Sequence, residues 1–98
     1  MKGRLKMNNY ETIFLVNIKL SKEDQKKILD KVTKCISNYG KITNIKNIGK
    51  RNLAYEVRKQ KQAYYYEIDF ESKSQCISEL ERLYRITDEV LKFITIKK

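Results

Sequence analysis

A hydrophobic period that changes from two residues to about 3.6 and back, twice along the chain, constrains the fold more than any other sequence feature. Period-two segments rich in β-branched and aromatic residues predict strands, and stripes of apolar residues three and four apart predict helices. The strand patterns cover residues 10–18, 41–58, 63–71 and 89–97, and the helical stripes run from Ile28 to Tyr39 and from Cys76 to Tyr84. The predicted order of elements is therefore β-α-β-β-α-β.

This element order predicts an α+β fold of the ferredoxin-like type, in which two helices cover one face of a four-stranded antiparallel sheet. Right-handed crossovers place the first and third strands at the centre of that sheet. On the third strand, the set Tyr64, Tyr66, Ile68 and Phe70 shares one parity and is predicted to face the helices. The opposite face of the sheet is predicted to stay uncovered.

The uncovered face is predicted to carry apolar and acidic side chains. Exposed apolar groups on a sheet without helices indicate a partner surface. The alternative is incidental exposure, or coverage by a basic arm at the start of the chain or by Lys97 and Lys98. The residues assigned to a protein partner are Ile13, Leu15, Tyr65, Glu67 and Asp69.

Polar residues predict where the two helices begin and where the first one ends. Ser21 is predicted to cap the first helix, with Asp24 three residues later. Gly40 is predicted to stop that helix in a left-handed conformation. Ser72, followed by Gln75, is predicted to cap the second helix in the same way.

The segment from Gly49 to Arg58 combines a glycine, a basic pair and a short strand pattern. The glycine predicts a bulge or a bend. Period-two spacing places Leu53, Tyr55 and Val57 on one face, which we expect to pack against the protein. The simpler interpretation is an ordinary strand with solvated charges.

The charge of the chain indicates a polyanionic partner. Its 98 residues fit one domain, and 22 Lys and Arg against 12 Asp and Glu give a net charge of +10. Residues 41–61 carry seven basic side chains and one acid, whereas residues 67–89 carry seven acids and three basic side chains. We therefore expect a positive and a negative side, suited to RNA and to a basic protein respectively, although chance clustering on a solvated surface is an alternative.

Several classes of function lack the residues that they require. Cys35 and Cys76 fall on predicted core positions, and the chain has no His that could complete a zinc site or a nucleophile pair. No stretch reaches the roughly 18 apolar residues of a membrane span, and a reducing compartment is the default expectation. Residues 1–7 are predicted to form a flexible basic arm, and residues 8–98 a single domain. No metal, cofactor or catalytic residue is predicted.

The sequence resembles the bacterial-type small-subunit ribosomal protein S-six family over nearly the whole chain. The strongest similarity is Gly49-Lys50-Arg51-Asn52-Leu53-Ala54-Tyr55-Glu56-Val57-Arg58. The chain departs from the family pattern at Val57, where Ile is usual, and at Glu56, where Pro is frequent. The flanking segments that agree in order and spacing are Tyr10-Glu11, Asn38-Tyr39-Gly40-Lys41-Ile42, Ala63-Tyr64-Tyr65 and Arg85-Ile86-Thr87-Asp88-Glu89-Val90-Leu91-Lys92.

The resemblance implies a structural constituent of the small ribosomal subunit, without a small-molecule substrate, in a bacterial cytoplasm or an organelle matrix or stroma. It implies binding to the central domain of small-subunit ribosomal RNA (rRNA) together with ribosomal protein S-eighteen. Glu56 is the only acid in the basic stretch, so it weakens any direct contact between that strand face and phosphate. The residues assigned to rRNA are Arg4, Lys6, Lys46, Lys50, Arg51, Arg58 and Lys59.

Two other classes share the predicted fold. A stand-alone RNA-recognition-motif domain requires aromatic side chains on the open face of its third strand for base stacking, and Glu67 and Asp69 would repel RNA there. An enzyme of the acylphosphatase type requires a phosphate-binding loop after the first strand, but residues 17–21 contain neither Gly nor Arg. The ribosomal interpretation is therefore preferred.

Overall fold

A computed structural model describes residues 7–98, and it confirms the ferredoxin-like α+β fold in the predicted order. The sheet is antiparallel throughout and has the strand order β2-β3-β1-β4, so the first and third strands are central as expected. The predicted arm lies outside the described residues, except for Met7. The elements are β1 (Asn8–Asn17), α1 (Lys22–Ser37), β2 (Gly40–Val57), β3 (Gln60–Ser72), α2 (Gln75–Ile86) and β4 (Val90–Lys97).

The main core lies between the sheet and the two helices. The predicted inward set of β3 is confirmed, because Tyr66, Ile68 and Phe70 are buried and Tyr64 is half-buried against the same cluster. Aromatic rings pack across the strands, with the Phe14 and Tyr66 ring centroids 5.4 Å apart. One face of each central strand therefore packs against the helices.

The first helix begins as predicted, whereas the start of the second differs. The hydroxyl oxygen of Ser21 accepts a hydrogen bond from the Asp24 amide at 3.2 Å. The predicted cap at Ser72 is wrong, because that residue is the last of β3 and its buried hydroxyl donates to the Lys73 carbonyl. Ser74 occupies the N-cap position of α2 without a side-chain hydrogen bond.

Gly40 does not stop α1 in a left-handed conformation. The helix ends at Ser37, Asn38 is its right-handed C-cap, and Gly40 begins β2. A Cβ on Gly40 would lie 2.5 Å from the Cα of Ser72. This glycine is therefore required by the close approach of two strands and not by a positive φ.

Strand β2 is longer than its partner β3, and the difference is taken up by three irregularities. Thr43 and Ile48 each have no partner in the register. Near the turn, the four residues 53–56 of β2 lie opposite the single residue Lys61 of β3. The predicted bend is confirmed beside Ile48, since Gly49 has a φ of 93°. As a result, the end of the β2–β3 hairpin is free to fold over the sheet.

Within residues 7–98, no helix is long and apolar enough to cross a membrane.

Candidate nucleic-acid and protein interfaces

The basic residues of β2 lie on an edge strand and are exposed, but they divide between the two faces of the sheet. Directly paired residues of neighbouring strands share a face. Lys46 pairs with Glu67 and Arg51 with Ala63, so both lie on the open face. Lys50 pairs with Tyr64 and therefore lies on the helix side of the edge.

The turn between β2 and β3 carries two further cations. Arg58 and Lys59 have φ values of 50° and 67°, and they connect the paired residues Val57 and Gln60 in a two-residue turn. Positive φ at both central positions is the geometry of a tight hairpin turn, which usually favours Asn and Gly. The Arg58 guanidinium donates to the Asp88 carbonyl at 3.1 Å, and this bond ties the turn to the segment before β4.

The end of the hairpin covers part of the open face. Leu53 and Val57 pack on a second apolar cluster that contains the buried residues Leu15, Ala63 and Leu91. Leu91 reaches this cluster because it is the extra residue of a bulge in β4. Leu15 therefore lies on the predicted face but is covered, which corrects its expected accessibility.

Tyr55 does not join the packing face predicted for Leu53, Tyr55 and Val57. Its side chain is 67% exposed, whereas the other two are half-buried. The Lys92 ammonium lies 5.5 Å from the centre of the Tyr55 ring and 3.3 Å from its hydroxyl oxygen. Strand alternation fails here because the excess residues 53–56 break the register.

Three carboxylates meet on the uncovered part of the open face. Each of Glu11, Glu67 and Asp69 offers an oxygen within 4.8 Å of the others, and all three side chains are half-buried. Lys46 lies 3.4 Å from Glu67, and Lys98 lies 2.9 Å from Asp69. Two ammonium groups thus neutralise part of this acidic trio and leave it with one net negative charge.

The ion pairs of the acidic trio also qualify the predicted separation of charge. Lys46 comes from the basic stretch and Glu67 from the acidic one, yet antiparallel pairing makes them neighbours. Hydrogen bonding to Asp69 and the charge of Glu11 raise the pKa of the Lys98 ammonium. A wholly positive side and a wholly negative side are therefore not formed at this edge.

An apolar strip of Ile13, Ile94 and Ile96 lies beside the acidic trio, and the sequence prediction included Ile13 but missed the two isoleucines of β4. Ile13 is half-buried, and Ile94 and Ile96 of β4 are 55% and 47% exposed. The pairs Ile13–Ile94 and Glu11–Ile96 join β1 to β4. Two sequence signals could have placed these residues and Glu11 on the open face. They are the alternation of side chains along β4 and the central position of β1 in the sheet.

Neither thiol has the environment of a nucleophile. Burial raises the pKa of the Cys76 thiol to about 11, and burial with the nearby Glu79 charge also raises the pKa of Cys35. Cys76 is buried as expected, whereas Cys35 is half-buried. Both groups therefore remain protonated at neutral pH.

The open face does not provide the free stacking platform of an RNA-recognition-motif domain. Tyr65 is half-buried and packs in the cluster under Leu53 and Val57. The next two open-face positions of β3 hold Glu67 and Asp69. The fold and this surface together define a ferredoxin-like domain whose sheet presents acidic and apolar groups, with cations along its edge.

Comparison with known proteins identifies the family within that class. The family model described as ribosomal protein S6 matches residues 9–97. The chain therefore belongs to the ribosomal protein S6 family of the small ribosomal subunit, as the resemblance of residues 49–58 and their flanks predicts.

Individual relatives agree with this assignment. The small ribosomal subunit protein bS6 of Helicobacter acinonychis (strain Sheeba) is 42% identical over 92 residues, which are 93% of this chain and 65% of that protein. The bS6 protein of Thermoanaerobacter pseudethanolicus is 40% identical over 92 residues, covering 93% of this chain and 97% of that protein. A crystal structure of 30S ribosomal protein S6 from Thermotoga maritima has a TM-score of 0.90 at 30% identity, covering 95% of this chain and 89% of that chain.

Proposed function

We propose that this chain is a structural, non-catalytic constituent of the small subunit that binds central-domain rRNA together with ribosomal protein S-eighteen. The bacterial-type relatives indicate a ribosome-associated protein, and we place it in a bacterial cytoplasm or an organelle matrix or stroma. The observation that carries the proposal is that one sheet has two different surfaces. Carboxylates and isoleucines occupy the open face, and exposed cations follow the β2 edge and its turn.

The RNA contact is assigned to the β2 edge and the β2–β3 turn. Lys50, Arg51 and Lys59 are exposed, and Arg58 is exposed although its guanidinium donates to a backbone carbonyl. Cations at phosphates release counterions and so make binding dependent on salt. Arg51 is the preferred contact because its planar group can donate two hydrogen bonds to one phosphate. Lys46, Arg4 and Lys6 are assigned to the same RNA, the last two from outside the described residues.

The protein contact is assigned to the acidic trio and to the apolar strip of Ile13, Ile94 and Ile96. A partner with basic side chains beside apolar ones complements this surface, because partly buried carboxylates favour charged hydrogen bonds and exposed isoleucines favour burial. Glu67 and Asp69 contribute the charge, and Ile13 contributes apolar area. Leu15 and Tyr65 support the surface from the covered cluster beside it.

A binding measurement with and without the partner tests the proposed function. The full chain is titrated with an rRNA fragment that contains the central-domain junction, in the presence and absence of S-eighteen, at several salt concentrations. We expect tight, salt-dependent binding only with the partner, and weak binding to short single-stranded RNA. Tight binding to short oligomers without S-eighteen would favour the stand-alone RNA-binding class instead.

A further inference from the structure

A groove lies between the first half of α1 and the β2 edge, on the helix side of the sheet. Lys22 and Lys26 line it from α1, Asn47 and Gly49 from β2, and Tyr64 from β3. Its volume is about 400 Å³, which is within the range of ligand-binding clefts. None of the residues that the sequence assigned to rRNA lines this groove, but one of them, Lys50, lies on the same side of the sheet.

The groove borders an irregular part of β2. Ile48 is left out of the register there, beside Gly49. Asn47 pairs with Tyr66 and therefore lies on the helix side of the sheet, where it is exposed. On the β2 side, the groove is thus bordered by an exposed polar side chain.

Hydrogen bonds fix the inner wall of the groove. The Tyr66 hydroxyl donates to the Gln25 side-chain oxygen at 2.6 Å, and the Gln25 amide donates to the Leu20 carbonyl at 3.1 Å. Both side chains are buried. Because these bonds hold α1 to β3, the groove exists before any ligand enters it.

The charge around the groove is of one sign. Lys22 and Lys26 are exposed, and Lys50 lies on the same side of the sheet as Tyr64, its direct partner in the register. Among the described residues, those that line the groove include no carboxylate. Two exposed lysines thus line the groove together with the half-buried Tyr64, and a third lies on the same side of the sheet.

We infer that this groove binds an unpaired nucleotide of RNA, with the base against the Tyr64 ring and the neighbouring phosphates at Lys22, Lys26 and Lys50. Aromatic rings stack with any base, and lysines attract the backbone. The bases of a duplex are stacked inside the helix, whereas an unpaired base can turn outward and enter a groove. The inference rests on the proposed function, since it takes rRNA as the partner.

A pair of double variants on one helix tests the groove. Lys22→Gln with Lys26→Gln removes two charges from it, and Lys31→Gln with Lys34→Gln removes two charges from α1 beside the separate groove between α1 and α2. Each variant is titrated, with S-eighteen present, against the central-domain rRNA fragment. We expect the first variant to bind about tenfold more weakly. A plot of the logarithm of its association constant against the logarithm of salt concentration should have a slope that is less steep by about 1.5. We expect the second to match the unmodified chain.

Cross-linking identifies what occupies the groove. Ultraviolet irradiation of the assembled complex, followed by mass spectrometry, is expected to find RNA attached at Tyr64. Equal losses in both double variants, or attachment of Tyr64 to the partner protein, would overturn the inference. If the unmodified chain binds tightly and both variants match it, only the groove inference fails. If the unmodified chain does not bind the rRNA fragment even with S-eighteen, both the proposed function and the groove inference fail.

Discussion

The Thr12 hydroxyl oxygen lies 2.8 Å from the Tyr84 hydroxyl oxygen, and this hydrogen bond joins the central strand β1 to helix α2. Thr12 also lies 2.9 Å from the Thr95 hydroxyl of β4. Thr12 and Tyr84 are almost fully buried. A small polar network thus ties three elements together inside the core, where an unpaired hydroxyl would be costly.

We expect Tyr84→Phe to lower the free energy of unfolding by about 1 kcal/mol, because it removes one buried hydrogen bond and little apolar contact. Urea denaturation measures this as a lower midpoint with an unchanged slope. Tyr55→Phe is the control, since that ring is largely exposed, and it should leave the midpoint unchanged. An unchanged midpoint in Tyr84→Phe would show that the network does not contribute.

We expect Leu53→Ala to lower the free energy of unfolding by about 1 kcal/mol, because Leu53 covers the cluster of Leu15 and Leu91. Ile86→Ala is a control at an exposed position and should have little effect. Urea denaturation compares the two variants. Similar effects in both would mean that the hairpin end is not packed on the sheet in solution.

We expect Arg51→Glu to weaken binding to the rRNA fragment and S-eighteen by at least about tenfold, because it replaces an exposed cation with an anion. The melting temperature should not change. Lys34→Glu makes the same change of charge on the exposed surface of α1 and should bind nearly as the unmodified chain does. Loss of the thermal transition in Arg51→Glu would instead assign that residue a structural role.

We expect Asp69→Asn to reduce the affinity for S-eighteen by about tenfold, because the acidic trio loses one charge at nearly constant shape. Asp30→Asn is the matched control on the exposed surface of α1. Isothermal titration calorimetry of the two-protein complex measures both. Equal affinities in the two variants would remove the acidic trio from the interface.

We expect stability to fall as the pH rises from about 9 to 11. The pKa of Cys76 is raised to about 11, and burial also raises the pKa of Tyr84. The folded chain therefore keeps protons that the unfolded chain releases, and stability falls as pH rises through this window. Urea denaturation at stepped pH measures the slope, and Cys76→Ala should reduce it. A flat profile up to pH 11 would contradict the raised pKa.

The sequence predicts most of the core, and it predicts little of the surface that surrounds the hairpin. Tyr66, Ile68 and Phe70 follow from strand alternation, which depends only on local geometry. The exposure of Tyr55 and the burial of Leu15 do not follow from alternation. Residues 53–56 of β2 are out of register, which exposes Tyr55 and lets Leu53 cover Leu15. The number of unpaired residues in a strand depends on the length of its partner strand, so a local sequence pattern does not predict that number.

By itself, the sequence determined the order of elements, the strands at the centre of the sheet and the family. These follow from hydrophobic period, chain handedness and a distinctive segment at residues 49–58. Only the tertiary structure decided that Lys46 meets Glu67, that Glu11 joins Asp69, and that Lys22 and Tyr64 share a groove. The physical reason is that strand register and bulges set which distant residues become neighbours, and the interactions of charged groups depend on that distance.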